Sequence, residues 1–343
     1  MMLLKSAFVL LMLLQSIEDV YKAANTDMEA QRWDDAIAKF EQVLKEDATH
    51  VPTMFGLAVS YSKIGNNEKA AELYRRILGQ DSNVYEAHVN LGILLLETGD
   101  AEGGSKELEA SVALSPDSPE AHLKAASAYF SAQQFERAYP HLLFVEKNGA
   151  PGIDVYLLLS EVEYRRGENE KSLEHLEKAG ALGPENPYVQ RELGVAYYNK
   201  KDYEKAVPVL ERNVRRDPMN LDDLQMLGKS YFETKRYPQA ANASLQLSRE
   251  KPDSFDAYWT LAWAFYELQD WDRASKAFAE YLQLQPKQAV GEFLLATCFD
   301  KLDKVEDALL HYNKFLELDD GSSDVRSFQA RERAKTLERR VKR

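Results

Sequence analysis

The sequence is short of cysteine, glycine, proline and positive charge, and each shortage argues against a class of protein. Its 343 residues include one Cys, so neither an intramolecular disulfide nor a multi-cysteine zinc or iron–sulfur site can form. With 16 Gly and 12 Pro, the chain is neither collagen-like nor of low complexity. Its 43 Lys and Arg against 56 Asp and Glu give a formal net charge of −13. This balance argues against a general nucleic-acid binder, because neutralising phosphates needs clustered basic residues.

What the sequence does contain is an internal repeat. Gly194 and Gly228 lie 34 residues apart within similar stretches, and Gly92 lies three such periods before Gly194. A fixed period of this size indicates a repeat architecture. Continued without a gap, the register divides the chain into nine units: 17–50, 51–84, 85–118, 119–152, 153–186, 187–220, 221–254, 255–288 and 289–322.

Two positions of the unit hold a small residue in every repeat. Position 8 is Ala24, Ala58, Gly92, Ala126, Ser160, Gly194, Gly228, Ala262 and Ala296, and position 20 is Ala36, Ala70, Gly104, Ala138, Ser172, Ala206, Ala240, Ala274 and Ala308. A larger side chain there would push two helices apart, so these columns predict a close helix crossing. Positions 4, 7, 8 and 11 are spaced as one face of a first helix.

Leucine at position 7, aromatic residues at position 11 and proline at position 32 complete the pattern. This pattern resembles the tetratricopeptide repeat family over residues 17–322. The resemblance implies an all-α fold, a right-handed α-solenoid of nine helix-turn-helix repeats. The sequence departs from the family pattern in places. Asp27 and Glu163 replace the aromatic residue at position 11, Ser244 replaces a bulky residue at position 24, and Glu292 occupies position 4.

No signature of a common enzyme occurs, whether HExxH, GxSxG, a P-loop GxxxxGK[ST] or GxGxxG. The single Cys298 lies between two packed helix positions, which favours burial over nucleophilic chemistry. His141 and His175 share position 23 of adjacent repeats, so a metal pair is conceivable there, but packing is the favoured interpretation. We therefore expect no catalytic residue, no cofactor and no metal site.

Residues 1–16 precede the repeats and hold an apolar run of eight residues after Lys5. That run is too short to cross a bilayer, which takes about 20 residues, but it fits a short secretory signal. Two interpretations stay open. The segment is a signal peptide of a periplasmic or other extracytoplasmic protein, or an apolar turn covering the open end of the solenoid in a cytoplasmic one. The sequence favours export over a cytoplasmic location.

Residues 323–343 form a basic tail with eight Lys or Arg and three acidic residues, so the tail is +5 and the remainder of the chain is −18. Val325, Phe328, Leu337 and Val341 recur at roughly helical spacing, which predicts a C-terminal capping helix with a solvated basic face. The alternative is docking of this helix to an anionic surface, either lipid headgroups or an acidic protein.

Positions 5, 9 and 12 lie beside the packed stripe of the first helix. In the tetratricopeptide family this neighbouring stripe lines a concave groove, so the resemblance implies a non-enzymatic scaffold that binds a protein or peptide segment. The alternatives are a tethering factor acting through its ends and basic tail, and a small-ligand sensor or enzyme. The candidate groove residues are Phe55, Val59, Ile93, Arg191, Lys229, Trp259, Trp263 and Tyr266.

Within that set, Trp259 and Trp263 are the predicted aromatic anchors. Arg191 and Lys229 are predicted to pair with a carboxylate of the bound segment. The aromatic ladder at position 12 either lines the groove or packs neighbouring units: Phe130, Tyr164, Tyr198, Phe232 and Tyr266. The chaperone-type carboxylate clamp of the family is absent, because Phe55 and Val59 stand where it needs Lys and Asn.

Overall fold

The computed structural model describes residues 17–319 and 324–342. Throughout those ranges the secondary structure is helical and no strand occurs, so the predicted all-α fold is confirmed. The predicted signal or cap at residues 1–16 lies outside the described residues. Among the described helices, none is long and apolar enough to cross a membrane.

The chain forms two compact units, unit 1 up to His175 and unit 2 from Leu176. The helices of unit 1 are α1 Ile17–Glu29, α2 Trp33–Glu46, α3 Val51–Lys63, α4 Asn67–Gln80, α5 Tyr85–Glu97, α6 Ala101–Leu114, α7 Pro119–Ser131, α8 Phe135–Asn148, α9 Ile153–Arg165 and the first part of α10 Asn169–Leu182. Those of unit 2 are the rest of α10, α11 Pro187–Asn199, α12 Tyr203–Arg216, α13 Leu221–Glu233, α14 Tyr237–Glu250, α15 Phe255–Glu267, α16 Trp271–Leu284, α17 Ala289–Lys301, α18 Val305–Leu318 and α19 Asp324–Val341. Each repeat thus supplies one pair of helices, and α19 follows the last pair.

Helix starts and turns recur with the same period. Asp100 caps α6 by accepting a hydrogen bond from the Gly103 backbone N–H at 2.9 Å, which satisfies one of the free donors of the first turn. Pro119 begins α7, where a missing N–H costs nothing. Position 15, in the turn between the two helices of a repeat, has a left-handed φ in all nine repeats, and six of these residues are not glycine: Gln31, Gln133, Lys201, Lys235, Gln269 and Asp303.

The two columns of small residues are the crossing points of the helix pairs. All eighteen residues are buried. In unit 1, the Oγ atoms of Ser160 and Ser172 lie 3.2 Å apart, so positions 8 and 20 of one repeat face each other directly. A Cβ added at Gly104 would lie 2.8 Å from the carbonyl oxygen of Gly92. No side chain larger than those present fits at this crossing without moving a backbone.

Tyrosines at position 11 connect successive repeats by donating a hydrogen bond to a glutamate at position 25 of the preceding one. In unit 1 the donors and acceptors are Tyr61 with Glu41 and Tyr129 with Glu109, the latter at 3.0 Å; in unit 2 they are Tyr197 with Glu177 at 2.8 Å and Tyr231 with Glu211 at 2.7 Å. Burial, reinforced by the charge of Glu109, raises the pKa of Tyr129 to about 12. The hydroxyl therefore stays protonated and remains a donor.

The acidic residues that depart from the family pattern are buried but paired. Glu163 is fully buried, and it accepts hydrogen bonds from His175 at 2.6 Å and from the hydroxyl of Tyr139 at 3.1 Å. Glu292 contacts Nδ1 of His311 at 2.5 Å. Removing a carboxylate from water is costly unless it gains partners of this kind.

The histidines of repeat 4 form a pair that the sequence did not predict. His141 does not join His175; its Nδ1 lies 2.9 Å from Nδ1 of His122, at position 4 of the same repeat. On its other side Nε2 of His141 lies 3.3 Å from Glu109. Burial lowers the pKa of His141, outweighing the attraction of Glu109. Of the two Nδ1 atoms in contact, one donates and the other accepts.

The crossing at Gly104 predicts that adding one methyl group changes the free energy of unfolding in opposite directions at Gly104 and at an uncrowded glycine. Gly104→Ala is expected to lower the free energy of unfolding by about 1–3 kcal/mol, because its Cβ meets the backbone of Gly92. Gly79→Ala is the matched control, since Gly79 is also helical but has no heavy atom within 4 Å of the added Cβ. The free energy of unfolding of that control is expected to rise by about 0.5–1 kcal/mol, because alanine has the higher helix propensity. Urea denaturation measures both, and equal effects would contradict a tight crossing.

The histidine pair predicts a pH-dependent stability. Because burial lowers the folded-state pKa of His141, its contribution to stability is present at neutral pH and is lost as the pH falls through that pKa. The double variant His122→Met/His141→Leu introduces the residues that repeat 2 has at the same positions, Met54 and Leu73, both buried. Urea denaturation at neutral and mildly acidic pH should show a smaller acid loss for the variant than for the wild type. An equal loss would mean that the pair does not respond to pH.

Candidate functional site

The largest groove described in unit 1 lies between α5 and α7 and has a volume of about 930 Å³. Its apolar lining comes from Val89, Ile93 and Leu96 on α5 and from Leu123 on α7. They occupy positions 5, 9 and 12 of repeat 3 and position 5 of repeat 4. Stripes at these positions face the same side of successive first helices, so an open trough forms where the two stripes meet. We call it the unit 1 groove.

The rim of the unit 1 groove is acidic. Glu86, Glu97 and Glu120 line it together with one cation, Lys124. Lys124 Nζ lies 3.1 Å from Glu120, and it also lies 5.3 Å from the ring centre of Tyr85. Within the described residues neither Glu86 nor Glu97 is in an ion pair. The local charge therefore favours a ligand with a positive group beside the apolar floor.

Tyr85 lines the same groove and has a polar atom without a partner. Its hydroxyl oxygen is buried and makes no hydrogen bond to any described residue. Burial raises the pKa of Tyr85, and the nearby charge of Lys124 opposes that rise. A buried hydroxyl without a hydrogen-bond partner costs about 1–3 kcal/mol.

The other two candidate residues of unit 1 lie on α3. Phe55 lines a second groove, of about 390 Å³, together with Tyr21 and Met28 of α1. Its ring packs edge-on against Tyr74, with centroids 5.8 Å apart. Val59, one turn further along α3, is half-buried against the core and lines neither groove. The structure therefore brings Ile93, but not Phe55 or Val59, into the larger groove.

In unit 2, Trp259 and Trp263 belong to an aromatic cluster on α15 and the helices beside it. The two indoles are half-buried, with ring centroids 5.8 Å apart. Trp259 packs on Tyr281 at 4.7 Å, and Trp263 packs on Tyr266 at 5.4 Å and on Phe232 of α13 at 6.5 Å. We call these five residues the aromatic cluster. Its rings both fill space between helices and keep part of their surface exposed.

The aromatic residues of position 12 pack within their own repeats. Four of them meet an aromatic ring at position 17, at the start of the second helix: Phe130 with Phe135, Tyr198 with Tyr203, Phe232 with Tyr237 and Tyr266 with Trp271. The centroid distances run from 5.1 to 5.9 Å. Tyr164 differs, because it is 58% exposed. The contact with position 17 accounts for the other four ladder residues without any ligand.

The two basic residues predicted to bind a carboxylate both lie close to acidic residues of this chain. Lys229 Nζ is 2.7 Å from Glu233, one turn further along α13. Arg191 is exposed on α11, and its charge acts on Asp223, whose pKa is raised mainly by burial. One carboxylate oxygen of Asp223 is buried without a hydrogen-bond partner among the described residues. Both basic side chains are thus engaged electrostatically before any ligand arrives.

The remaining reactive groups are inert or dispersed. Cys298 is fully buried, and desolvation raises the pKa of its thiol to about 12, which leaves almost no thiolate at neutral pH. Across residues 17–319 and 324–342, no three His, Cys, Asp or Glu side chains converge on a possible metal position.

Comparison with known families identifies the repeat. Family models of the tetratricopeptide repeat match residues 27–85, 89–142, 161–201, 192–219, 226–289 and 260–323. The chain belongs to the tetratricopeptide repeat family. Membership supports a role as a protein–protein interaction scaffold, and the fold is that of a non-enzymatic repeat protein.

Individual relatives are distant. Over 144 residues the chain is 28% identical to the human protein O-mannosyl-transferase TMTC1, a match that covers 42% of this chain and 16% of that protein. The similar solved structures include MamA MSR-1 C2, with 24% identity, a TM-score of 0.44 and coverage of 50% of this chain and 98% of that one. YrrB, described as a TPR protein with an unusual peptide-binding site, has 16% identity, a TM-score of 0.46 and coverage of 55% and 96%. These similarities carry no inference about a partner.

Part of the unit 1 groove was not predicted from the sequence. Leu123 and Ser127 stand at positions 5 and 9 of repeat 4, so the repeat register alone was sufficient to include them. Tyr85 stands at position 1, outside the predicted stripe, and no sequence signal marks its hydroxyl as unpartnered.

The packing of the aromatic cluster predicts that its indoles are structural. Trp263→Ala is expected to lower the free energy of unfolding by about 2–4 kcal/mol, because it removes contacts to four aromatic neighbours. Tyr164→Ala is the control for an exposed aromatic residue and is expected to change it by less than about 0.5 kcal/mol. Urea denaturation followed by circular dichroism tests this, and a Trp263→Ala protein as stable as the wild type would contradict it.

Proposed function

We propose that this protein is a non-enzymatic scaffold that binds an extended or helical segment of a partner protein in the unit 1 groove. The observation that carries the proposal is an open apolar trough of about 930 Å³ that is also lined by Glu86 and Glu97, two carboxylates that form no ion pair with the described residues. Apolar surface with a few unsatisfied polar groups is what a peptide needs for both affinity and orientation.

Each part of the groove has a role in this proposal. Ile93 and Leu123 receive an apolar side chain of the bound segment, whose transfer from water supplies about 1.5–3 kcal/mol. The free carboxylates of Glu86 and Glu97 receive a basic side chain. The aromatic cluster of unit 2 is a second contact region, restricted to the exposed edges of its rings.

Site-specific photo-crosslinking tests the location. Ser127 is exposed and lines the unit 1 groove, so p-benzoylphenylalanine at this position should crosslink to the bound segment in the native host. The same photoreactive residue at Lys106, exposed on α6, is the control and should not. Mass spectrometry of the crosslinked peptide then identifies the segment. Equal crosslinking from both positions, or none from Ser127, would count against the groove.

The identified segment, made as a synthetic peptide, allows a matched pair of substitutions. Ile93→Glu places a charge on the floor of the groove and should raise the dissociation constant at least about tenfold. Val59→Glu changes the same position of the neighbouring repeat, where the side chain lines neither groove, and should raise it less than about twofold. Isothermal titration calorimetry measures both, after circular dichroism has shown that each variant is folded. A larger effect of Val59→Glu would overturn the assignment.

A further inference from the structure

The C-terminal helix α19 is held in one orientation on unit 2. Ala330, Ala334 and Leu337 are buried against the core formed with α17 and α18. Arg333 binds both carboxylate oxygens of Asp300, at 2.7 and 2.6 Å. A second ion pair, from Arg340 to Asp303 at 2.7 Å, lies two turns further along. These contacts fix which face of α19 points outward.

The outward face carries a straight stripe of basic residues that begins at an exposed aromatic ring. Phe328 is 66% exposed, and it is followed at intervals of three, four, four and three residues by Arg331, Lys335, Arg339 and Lys342. All four basic side chains are exposed. Because these intervals follow one side of a helix, the stripe runs for about 21 Å. We call these five residues the basic stripe.

Most of this charge has no counterion among the residues that the structure describes. Lys335 pairs with Glu332 at 2.8 Å. Within residues 17–319 and 324–342, Arg331, Arg339 and Lys342 take part in no ion pair. Exposed basic residues are ordinary on a protein of balanced charge. On this chain, whose net charge is −13, a row of them stands out. The stripe is therefore a local reversal of sign, and local charge determines approach within a Debye length of about 8 Å.

The shape of the stripe favours a protein helix over a membrane. A helix that lies in a lipid interface needs a wide apolar face, whereas the large apolar side chains exposed on the described part of α19 are Val325 and Phe328 near its start and Val341 at its end. Charges in a straight row match carboxylates at helical spacing on a second helix. The ring of Phe328 provides one apolar contact that sets the register.

We propose that the basic stripe binds an acidic helical segment of a partner protein, with carboxylates facing Arg331, Arg339 and Lys342 and an apolar side chain covering Phe328. This contact is separate from the unit 1 groove, so the scaffold would hold two different ligands at once. Lys335 contributes less than the other three basic residues, since Glu332 already neutralises part of its charge.

The test uses the full chain and a synthetic alanine-based helical peptide of about 20 residues, long enough to cover the stripe. Its glutamates follow the spacing of the stripe on one face, and one leucine lies a turn beyond them. Fluorescence anisotropy should show binding that weakens as salt is added. Arg331→Gln/Arg339→Gln/Lys342→Gln should raise the dissociation constant at least about tenfold. Phe328→Ser should weaken binding and leave its salt dependence unchanged.

Three controls make the test decisive. Lys63→Gln/Lys251→Gln/Lys287→Gln removes the same charge from exposed lysines outside α19 and should leave the affinity unchanged. A peptide of the same composition with glutamates distributed round the helix should bind at least about fivefold more weakly, because fewer carboxylates face the stripe. Vesicles of phosphatidylserine and phosphatidylcholine should not compete. Equal loss in the lysine control, equal binding of the redistributed peptide, or preferential binding to vesicles would each overturn the proposal.

Discussion

The structure depends on one constraint, the close crossing of two helices at positions 8 and 20 of every repeat. Buried small residues at both positions allow the backbones to approach until, at Gly92 and Gly104, a carbonyl oxygen lies 2.8 to 3.1 Å from the place that a Cβ would occupy. Every other element follows from that crossing. It fixes which stripe of the first helix is packed, and so which stripe is left to line a surface such as the unit 1 groove. A repeat cannot lose the crossing and keep the groove.

Around that fixed crossing, the positions that hold larger side chains accept different residue types, provided that the polar atoms find partners. Glu163 fills a position where other repeats have an aromatic ring, and it does so because His175 and Tyr139 bond to it. His122 and His141 occupy together the place that Met54 and Leu73 fill in repeat 2. The backbone thus accepts apolar, ionic and imidazole pairs at equivalent positions, which is why local chemistry differs between repeats of one shape.

The fold was predictable because periodicity is a property of many residues at once. Eighteen small residues at two positions of the repeat predicted a single architecture. The observed helices begin and end in the same 34-residue register. The candidate site was harder to predict, because it depends on contacts between side chains that the repeat period does not determine. Lys229 was expected to meet a ligand and instead meets Glu233 on the next turn of its own helix. The hydroxyl of Tyr85 is unpartnered only because of how its neighbours are arranged in space.

The bond from a tyrosine to the glutamate of the preceding repeat has a consequence for the order of the repeats. Where position 11 is Tyr231, position 25 of the repeat before it is Glu211; where position 11 is Phe265, the corresponding residue is Leu245. The residue at position 11 of a repeat is therefore matched to the residue at position 25 of the repeat before it, although the backbones of the repeats are alike. Placing the unit of Phe265 directly after that of Glu211 would leave this carboxylate without its tyrosine, at about 1–3 kcal/mol for a buried group. Units of the same backbone shape are therefore not all interchangeable.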